Sequence, residues 1–462
     1  MPWTRSSTVA TLPDDPVGEV VAAALSEILR GSSVELRYSP AGDPWPPAPG
    51  GPTVSAARGG GPAGWNLQWV IRLEDRVGRL LTPGSILIET LEVLPDAGLA
   101  TAKRLRNDFS SGARPLPVAL RRAVRDVVAA EVLHRFLRSR LDRPVDTGLI
   151  ERTIEYLVEL SGSRVESHDL THGVVISGVL PDPPRLKFQY PADVRAAKRA
   201  PLLFDGLRSV LIIDPSGFAR TEVQAHRPDH LERLGVPAQP ARRRPEDIEP
   251  SGALVAEATR MLGGLGFFLR ADRTIWAFVD GQPVLVRRGE HWMTFPLQLA
   301  STLSQIIGGG TAALIVARAA FRISGQRQGA ILAVVQDANR LDGAVPLKDR
   351  YDLRDSIDPL AMRAETRLHH LIDADELDEH TLARLAELDG ATIIDQHGKL
   401  VAYGAIVPSS HSEHEGARTA AAKTLSGMAD VVLKVSADGD ITIFRNGEQV
   451  STLLRRPSQY EL

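Results

Sequence analysis

Three short runs between residues 387 and 447 combine residue types able to hold a phosphorylated ligand. The first is Asp389-Gly390-Ala391, placed directly before the apolar run Thr392-Ile393-Ile394. A carboxylate at a strand start can hold a divalent cation that bridges phosphates. The competing reading is an Asx turn, since Asp and Gly are favoured turn residues. The second run is Gly416-Ala417-Arg418-Thr419, which leads into the helix-favouring Ala420-Ala421-Ala422. A glycine lets a ligand approach the backbone, and the free N–H groups of a helix start attract an anion. Arg418 adds a planar, charge-assisted donor. Many such turns bind nothing, so this feature alone leaves both readings open. The third run is Val435-Ser436-Ala437-Asp438, the polar end of a buried strand that begins at Asp430.

Other candidates are weaker. His411, Glu413, His414 and Glu415 precede Gly416 and offer a cation or a loose metal spacing, or else form a polar loop. His369, His370 and His380 read as solvated helix surface, and Lys423 as an exposed helix lysine within reach of phosphate. Trp276 and Trp292 frame a pocket or pack in a core, with packing the commoner role.

These runs need elements to hold them. Helical spacing of apolar residues predicts helices over residues 17–29, 117–141, 153–160, 253–262, 297–307 and 312–324. The helix at 117–141 has an apolar stripe and a basic face with Arg121, Arg122, Arg125, Arg135, Arg138 and Arg140, read as a solvated or interface surface. Strands are expected at 66–73, 85–93, 174–179, 186–190, 210–214 and 330–335. A hairpin is expected around Asp280-Gly281. Residues 40–64 are rich in Pro and Gly and read as a loop or linker. Leu211-Ile212-Ile213-Asp214-Pro215-Ser216-Gly217 echoes Thr392-Ile393-Ile394-Asp395-Gln396-His397-Gly398. Two strand–turn–strand units explain the echo most cheaply, with domain duplication as the alternative.

At 462 residues the chain has room for about two to four domains. The absence of cysteine excludes disulfides, thiolate zinc sites and cysteine nucleophiles. A net charge of −3 supplies no global field for nucleic acid or anionic membrane. No apolar segment approaches the ~20 residues needed to span a bilayer, and no secretory signal opens the chain. A cytoplasmic protein is expected.

In this order the motifs resemble the diadenylate cyclase domain, the DisA-type nucleotide-binding domain. Gly329-Ala330-Ile331-Leu332 is similar to that family's Gly-Ala-Leu-Leu strand, and Pro346-Leu347 to the turn that follows. Asp389-Gly390-Ala391 matches its Asp-Gly-Ala motif. Gly416-Ala417-Arg418-Thr419-Ala420 stands where the family has Gly-Thr-Arg-His-Arg, and Val435-Ser436-Ala437-Asp438 where it has Val-Ser-Glu-Glu. The resemblance covers residues 311–450. It implies an α/β fold of mixed (α+β) type, with a mixed sheet flanked by helices and a longer region upstream; the residue pattern makes that upstream region a strand-rich extension preceded by a helical N-terminal region. The expected divisions are 1–145, 146–295 and 296–455.

The resemblance also implies a nucleotide or cyclic dinucleotide as ligand, magnesium or manganese with the bound nucleotide, and a homo-oligomer whose domains face each other. The implied nucleotide-binding residues are Asp389, Gly390, Ala391, Gly416, Ala417, Arg418, Thr419 and Ser436, with Asp389 as metal ligand and, in an active enzyme, a catalytic residue. The departures matter. Thr419 replaces the family's histidine, Ala420 its second arginine and Ala437 its first glutamate. Phosphoryl transfer depends on positioning and charge neutralisation, so these losses should cost several kcal/mol of transition-state stabilisation. Ground-state binding demands less. The expectation is a sensor without cyclase activity. The alternatives are an active diadenylate cyclase making cyclic di-AMP from ATP, and an interaction protein that binds no nucleotide.

Overall fold

The structure is a computed structural model. It describes residues 13–29, 32–43, 54–73, 85–108, 118–165, 168–179, 187–197, 200–225, 253–294, 303, 306–307, 311–325, 328–356, 367–374, 377–408, 416–437 and 439–453. The fold is mixed α/β; among the described residues there are three larger sheets, one antiparallel and two that combine parallel and antiparallel pairs. The chain divides into two compact units. The first comprises residues 1–140, 144–154 and 290–294, and the second residues 141–143, 155–289 and 295–462.

The first unit begins with α1 (Pro16–Ile28). Asp15 caps it by accepting from the Gly18 amide at 3.0 Å, and Pro16 opens the first turn, where its missing N–H costs nothing. Asp15 also takes Tyr38 at 3.1 Å and Arg106 at 2.5 Å, so one buried carboxylate ties together the helix start, a strand and a second helix. Strands β1 (Ser32–Pro40), β2 (Val54–Gly60) and β3 (Trp65–Leu73) form an antiparallel sheet in the order β1-β3-β2. Helices α2 (Ser85–Asp108) and α3 (Val118–Arg138) follow. The strand His291–Thr294 also belongs here, with Trp292 buried and donating to Asp126 at 2.6 Å. Two arginines of α3 are paired: Arg125 with Glu27 at 2.8 Å and Arg135 with Glu131 at 3.1 Å.

Two expectations are corrected here. Residues 85–93 lie in a helix, because the pattern extends beyond the apparent strand. Leu91, Leu94, Ala97, Ala102 and Leu105 are buried at helical spacing. Residues 54–60, inside the Pro/Gly-rich segment, form strand β2 against β3. There the side chain of Leu99 on α2 occupies the space beside Gly59 that a Cβ would need, so the glycine serves close packing rather than flexibility.

Among the described residues, the second unit contains two larger sheets and a two-stranded ribbon. After α4 (Thr147–Ser161) and the short ribbon β4 (Arg164–Val165) and β5 (His168–Asp169) come β6 (His172–Ile176), α5 (Ala192–Ala196), α6 (Ala200–Leu203), β7 (Ser209–Ile213) and β8 (Ala219–Gln224). Then follow α7 (Ala253–Leu262), β9 (Leu265–Leu269), β10 (Ile275–Val279) and β11 (Gln282–Arg288), with His291–Thr294 taken as β12. Within this unit the upstream sheet runs β11-β10-β9-β6-β7-β8, with β6 and β7 parallel. Of the strand expected at 186–190, residue 186 lies outside the described residues, and the described residues 187–190 form no strand but an isolated bridge between Gln189 and Phe218.

The downstream sheet is built from α8 (Thr311–Gly325), β13 (Ala330–Val335), α9 (Glu379–Ala386), β14 (Ala391–Asp395), β15 (Leu400–Ala405), α10 (Ala417–Ser426), β16 (Val431–Val435), β17 (Ile441–Arg445) and β18 (Glu448–Leu453). Its order is β15-β14-β13-β16-β17-β18, and only β13 and β14 are parallel. Every residue of β13 is buried, as expected for a central strand covered on both faces. On one face, Ile331, Ala333, Ile393 and Val432 form a core with Ala422 and Leu425 of α10. Trp276 is buried on β10, with its ring edge-to-face to Phe321 of α8 at 5.9 Å, so it fills a core position. Among the described residues, no helix is long and apolar enough to cross a membrane.

One buried group predicts a pH response. His172, at the start of β6, is stacked on Tyr190 at 6.0 Å and fully buried. Burial pushes its pKa down from 6.5 to about 4. Above pH 6.5 the ring is neutral in both folded and unfolded chain. Between pH 6.5 and 4 only the unfolded chain takes the proton, so stability should fall by up to about 1.4 kcal/mol per pH unit. Urea unfolding of His172→Phe should lack this component of the acid loss; an unchanged pH dependence contradicts the assignment.

Candidate functional site

An α-helix leading into an antiparallel strand starts at the sheet edge where that strand will end. Helix α10 precedes β16, and β16 runs antiparallel to β13, while β13 and β14 run parallel. The start of α10, the end of β16 and the starts of β13 and β14 therefore share one edge of the sheet. The register makes this concrete. Ala405, Ala391, Ile331, Lys434 and Thr442 form a single row across β15, β14, β13, β16 and β17. Strands lie about 4.8 Å apart, so Ala391 and Lys434 sit roughly 10 Å from each other along that row.

Asp389-Gly390 enters this row from outside the sheet. Asp389 is exposed. Gly390 has φ +105°, and a Cβ there would lie 2.5 Å from the Gly404 carbonyl carbon on β15. Both facts restrict the position to glycine. Ala391 is buried under α10. Among the sequence-predicted residues, the glycine is thus fixed by the sheet, whereas the aspartate is presented to solvent at its edge.

Gly416 is the N-cap residue of α10 and supplies no side-chain cap; the Thr419 amide donates to its carbonyl at 2.8 Å, which leaves the Ala417 and Arg418 amides without intrahelical acceptors. Gly416, Ala417 and Arg418 are exposed. The Arg418 guanidinium packs against Gly329, the residue before β13, in the space that a Cβ on Gly329 would require. Thr419 faces inward and accepts a hydrogen bond from Lys434 Nζ at 3.0 Å. Ser436 follows β16, and its amide donates to the Asp440 carbonyl at 2.8 Å at the base of the next turn. Ala420 is 2 % exposed and packs into the core, so its position offers no surface for a charged side chain without rearrangement.

Lys434 was missed in the sequence reading. Its signal was present: a single lysine inside the apolar run Val431–Val435. The alternation of a strand puts Lys434 on the same face as Val432, which packs under α10. Its ammonium therefore projects toward the helix start. Arg418 and Lys434 give this edge two cations, to which the helix dipole adds a further positive end.

Another side-chain group lies behind the turn. His369, expected on a solvated surface, is 2 % exposed, with its ring 5.0 Å from Tyr403 and 5.9 Å from Tyr351. Burial lowers its pKa and raises that of neighbouring Asp349. Tyr403 immediately precedes Gly404, the residue against which Gly390 is pressed. Two exposed apolar side chains flank the same turn: Leu388 at 50 % and Ile406 at 55 %. Ile406 follows Ala405, which is registered opposite Ala391.

Among the described residues, no three His, Asp or Glu side chains gather into a metal-binding group. A cation at Asp389 would depend on ligand phosphates for most of its coordination, the usual habit of magnesium. His411, Glu413, His414 and Glu415 lie outside the described residues.

No family model matches the chain, and no curated protein matches it. A solved structure described as a hypothetical membrane spanning protein from Bacillus cereus aligns with 33 % of this chain and 70 % of its own, at 19 % identity and a TM-score of 0.26.

The fit of Gly390 against Gly404 yields a prediction. Gly390→Ala combines an unfavourable φ with a backbone collision, so it should destabilise the protein by about 2–4 kcal/mol. Chemical denaturation measures this; a loss below ~0.5 kcal/mol would show that the turn relaxes freely.

Proposed function

We propose that residues 296–455 form a nucleotide-binding or nucleotide-second-messenger-binding sensor domain of diadenylate-cyclase-like type, without cyclase activity. The observation that carries this reading is the shared sheet edge. Asp389 and the uncapped start of α10 with Arg418 and Lys434 lie along one edge, roughly 10 Å across. That spacing suits a phosphate group held between a cation-rich end and a carboxylate able to share a metal.

The apolar residues beside the turn extend the same reading. Leu388 and Ile406 offer an uncharged surface next to a cationic one. A nucleotide has matching parts, an apolar base and an anionic tail. Arg418 would bind phosphate oxygens directly, and Lys434 would hold Thr419 in place while adding charge. Asp389 would help to hold magnesium or manganese on the bound nucleotide.

The same residues argue against turnover. The positions matching the family's histidine and second arginine are Thr419, already engaged by Lys434, and Ala420, buried in the core. The developing charge of phosphoryl transfer would find fewer donors than the family pattern supplies. Binding without chemistry suits a sensor, whose occupancy shifts the population of the state that binds.

The test is a panel of nucleotides, nucleosides and cyclic dinucleotides, screened by thermal shift with and without magnesium or manganese, with products analysed by mass spectrometry. A ligand that binds only the folded state must raise the melting temperature. Stabilisation by phosphorylated ligands without product supports the proposal. Cyclic di-AMP formed from ATP would replace it with the cyclase reading, and no stabilisation by any ligand would leave the interaction-protein reading.

Arg418→Ala should weaken a phosphorylated ligand by about 10- to 100-fold while leaving its nucleoside nearly unchanged. Calorimetry distinguishes this from an equal loss on both, which would remove the phosphate role. Asp389→Asn should weaken binding mainly when divalent metal is present; an unaltered metal dependence would contradict metal bridging.

A further inference from the structure

The two sheets of the second unit share one topology. In the upstream sheet, β6 is parallel to β7 and antiparallel to β9, β7 pairs with β8, and β9 leads through β10 to β11. In the downstream sheet, β13, β14, β15, β16, β17 and β18 repeat each of these relations in the same order. A helix precedes the fourth strand in both: α7 before β9 and α10 before β16.

Details within the turns repeat as well. Asp214 Oδ1 accepts from the amides two and four residues on, as Asp395 Oδ1 does. Asp280-Gly281 and Asn446-Gly447 have the same φ angles, 52° and 79°. The Gly281 amide donates to Thr259 Oγ1 on α7 at 3.1 Å, and the Gly447 amide to Ser426 Oγ on α10 at 3.0 Å. The Arg270 amide donates to the Thr274 carbonyl at 2.9 Å, as the Ser436 amide does to Asp440 at 2.8 Å. Generic hairpins share turn types, but a helix hydroxyl bonded to the same glycine of the same turn is a property of one fold.

The candidate ligand edges differ in chemistry. The row Ala391, Ile331, Lys434, Thr442 matches Val210, Gly173, Phe268, Trp276 upstream. The lysine is replaced by a buried phenylalanine. An Asp-Gly pair also precedes β7, but Asp205 lies five residues before Val210, whereas Asp389 lies two before Ala391, and Asp205 is turned into the fold. Its carboxylate accepts from the amides of Leu207, Arg208 and Ser209 at 3.0, 2.7 and 3.3 Å and from Arg208 Nε at 2.6 Å. The backbones of Gly173 and Gly206 touch: a Cβ on Gly173 would lie 2.5 Å from Gly206 Cα. A Cβ on Gly206 would lie 2.5 Å from the Phe268 ring.

We infer that residues 155–289 and 295–462 carry two copies of one fold, that the upstream copy has sealed its ligand edge with Asp205, Gly206 and Phe268, and that the chain consequently takes one phosphorylated ligand. The stoichiometry rests on the proposed function of the downstream copy; the seal does not. Asp205 and Gly206 serve a structural role in the upstream copy, whereas Asp389 is exposed at the edge of the downstream one.

The experiment compares Asp205→Ala with Asp389→Ala in the full chain and counts bound ATP and cyclic di-AMP by native mass spectrometry. Asp205→Ala should lower the melting temperature by roughly 3–8 °C, since it leaves the amides of Leu207, Arg208 and Ser209 without their acceptor, that of Ser209 in a buried setting. Asp389→Ala should lower it by less than about 1 °C. If Asp205→Ala does not fold, Asp205→Asn, which retains one acceptor oxygen, should give a smaller drop that is still measurable. Bound ligand should saturate at one per chain. Equal melting of Asp205→Ala, or of the Asp205→Asn fallback, and wild type would overturn the seal, and two ligands per chain would overturn the stoichiometry. Absence of any bound ligand would sink the nucleotide reading alone, while the melting contrast would still decide the seal.

Discussion

Strand direction is the constraint on which the site depends. Because β16 runs against β13, and β14 runs with it, three segments far apart in sequence must open onto one edge: the Asp-Gly turn, the start of α10 and the end of β16. Burial of the α10 face against Ile331, Ile393 and Val432 locks the helix there. Apolar packing on that face is the main force holding the helix to the sheet. Polar contacts such as Lys434 to Thr419 then orient the exposed groups.

The chemistry of the edge follows from which side chains the row presents. A lysine within a buried strand is costly unless its ammonium reaches a partner or solvent, and Lys434 does so through Thr419. The upstream sheet shows the same row filled with Phe268 and Trp276, with no charge to satisfy. One backbone arrangement thus supports an open, cationic edge or a closed, apolar one, according to a few side chains.

Much of this was legible from residue pattern. The central strand at residues 330–335 and the helix at 253–262 were readable because short apolar runs bounded by turn residues have few alternatives. The Asp280-Gly281 hairpin was readable from turn chemistry. The helix at Ser85–Asp108 was not, because Ile, Leu and Val crowd its first turns and mimic a strand. Its true period shows only when the window reaches Leu105. His369 was misplaced because its burial depends on Tyr351 and Tyr403, one of them more than thirty residues away in sequence. At the site, Asp389, Gly416 and Arg418 could be singled out by type. Lys434 could not be assigned until strand register placed it on the face of α10. The full repeat was equally hidden, because its two copies share hydrogen-bond pattern and turn geometry but few residue identities.

Hydrogen exchange on the full chain, with ATP and with cyclic di-AMP, tests the central claim most directly. Peptides covering residues 388–392 and 416–420 should lose exchange together on addition of a bound ligand, and those covering residues 204–209 should not. Protection of only one of the two segments, or of neither by both ligands, would contradict a single shared anion edge.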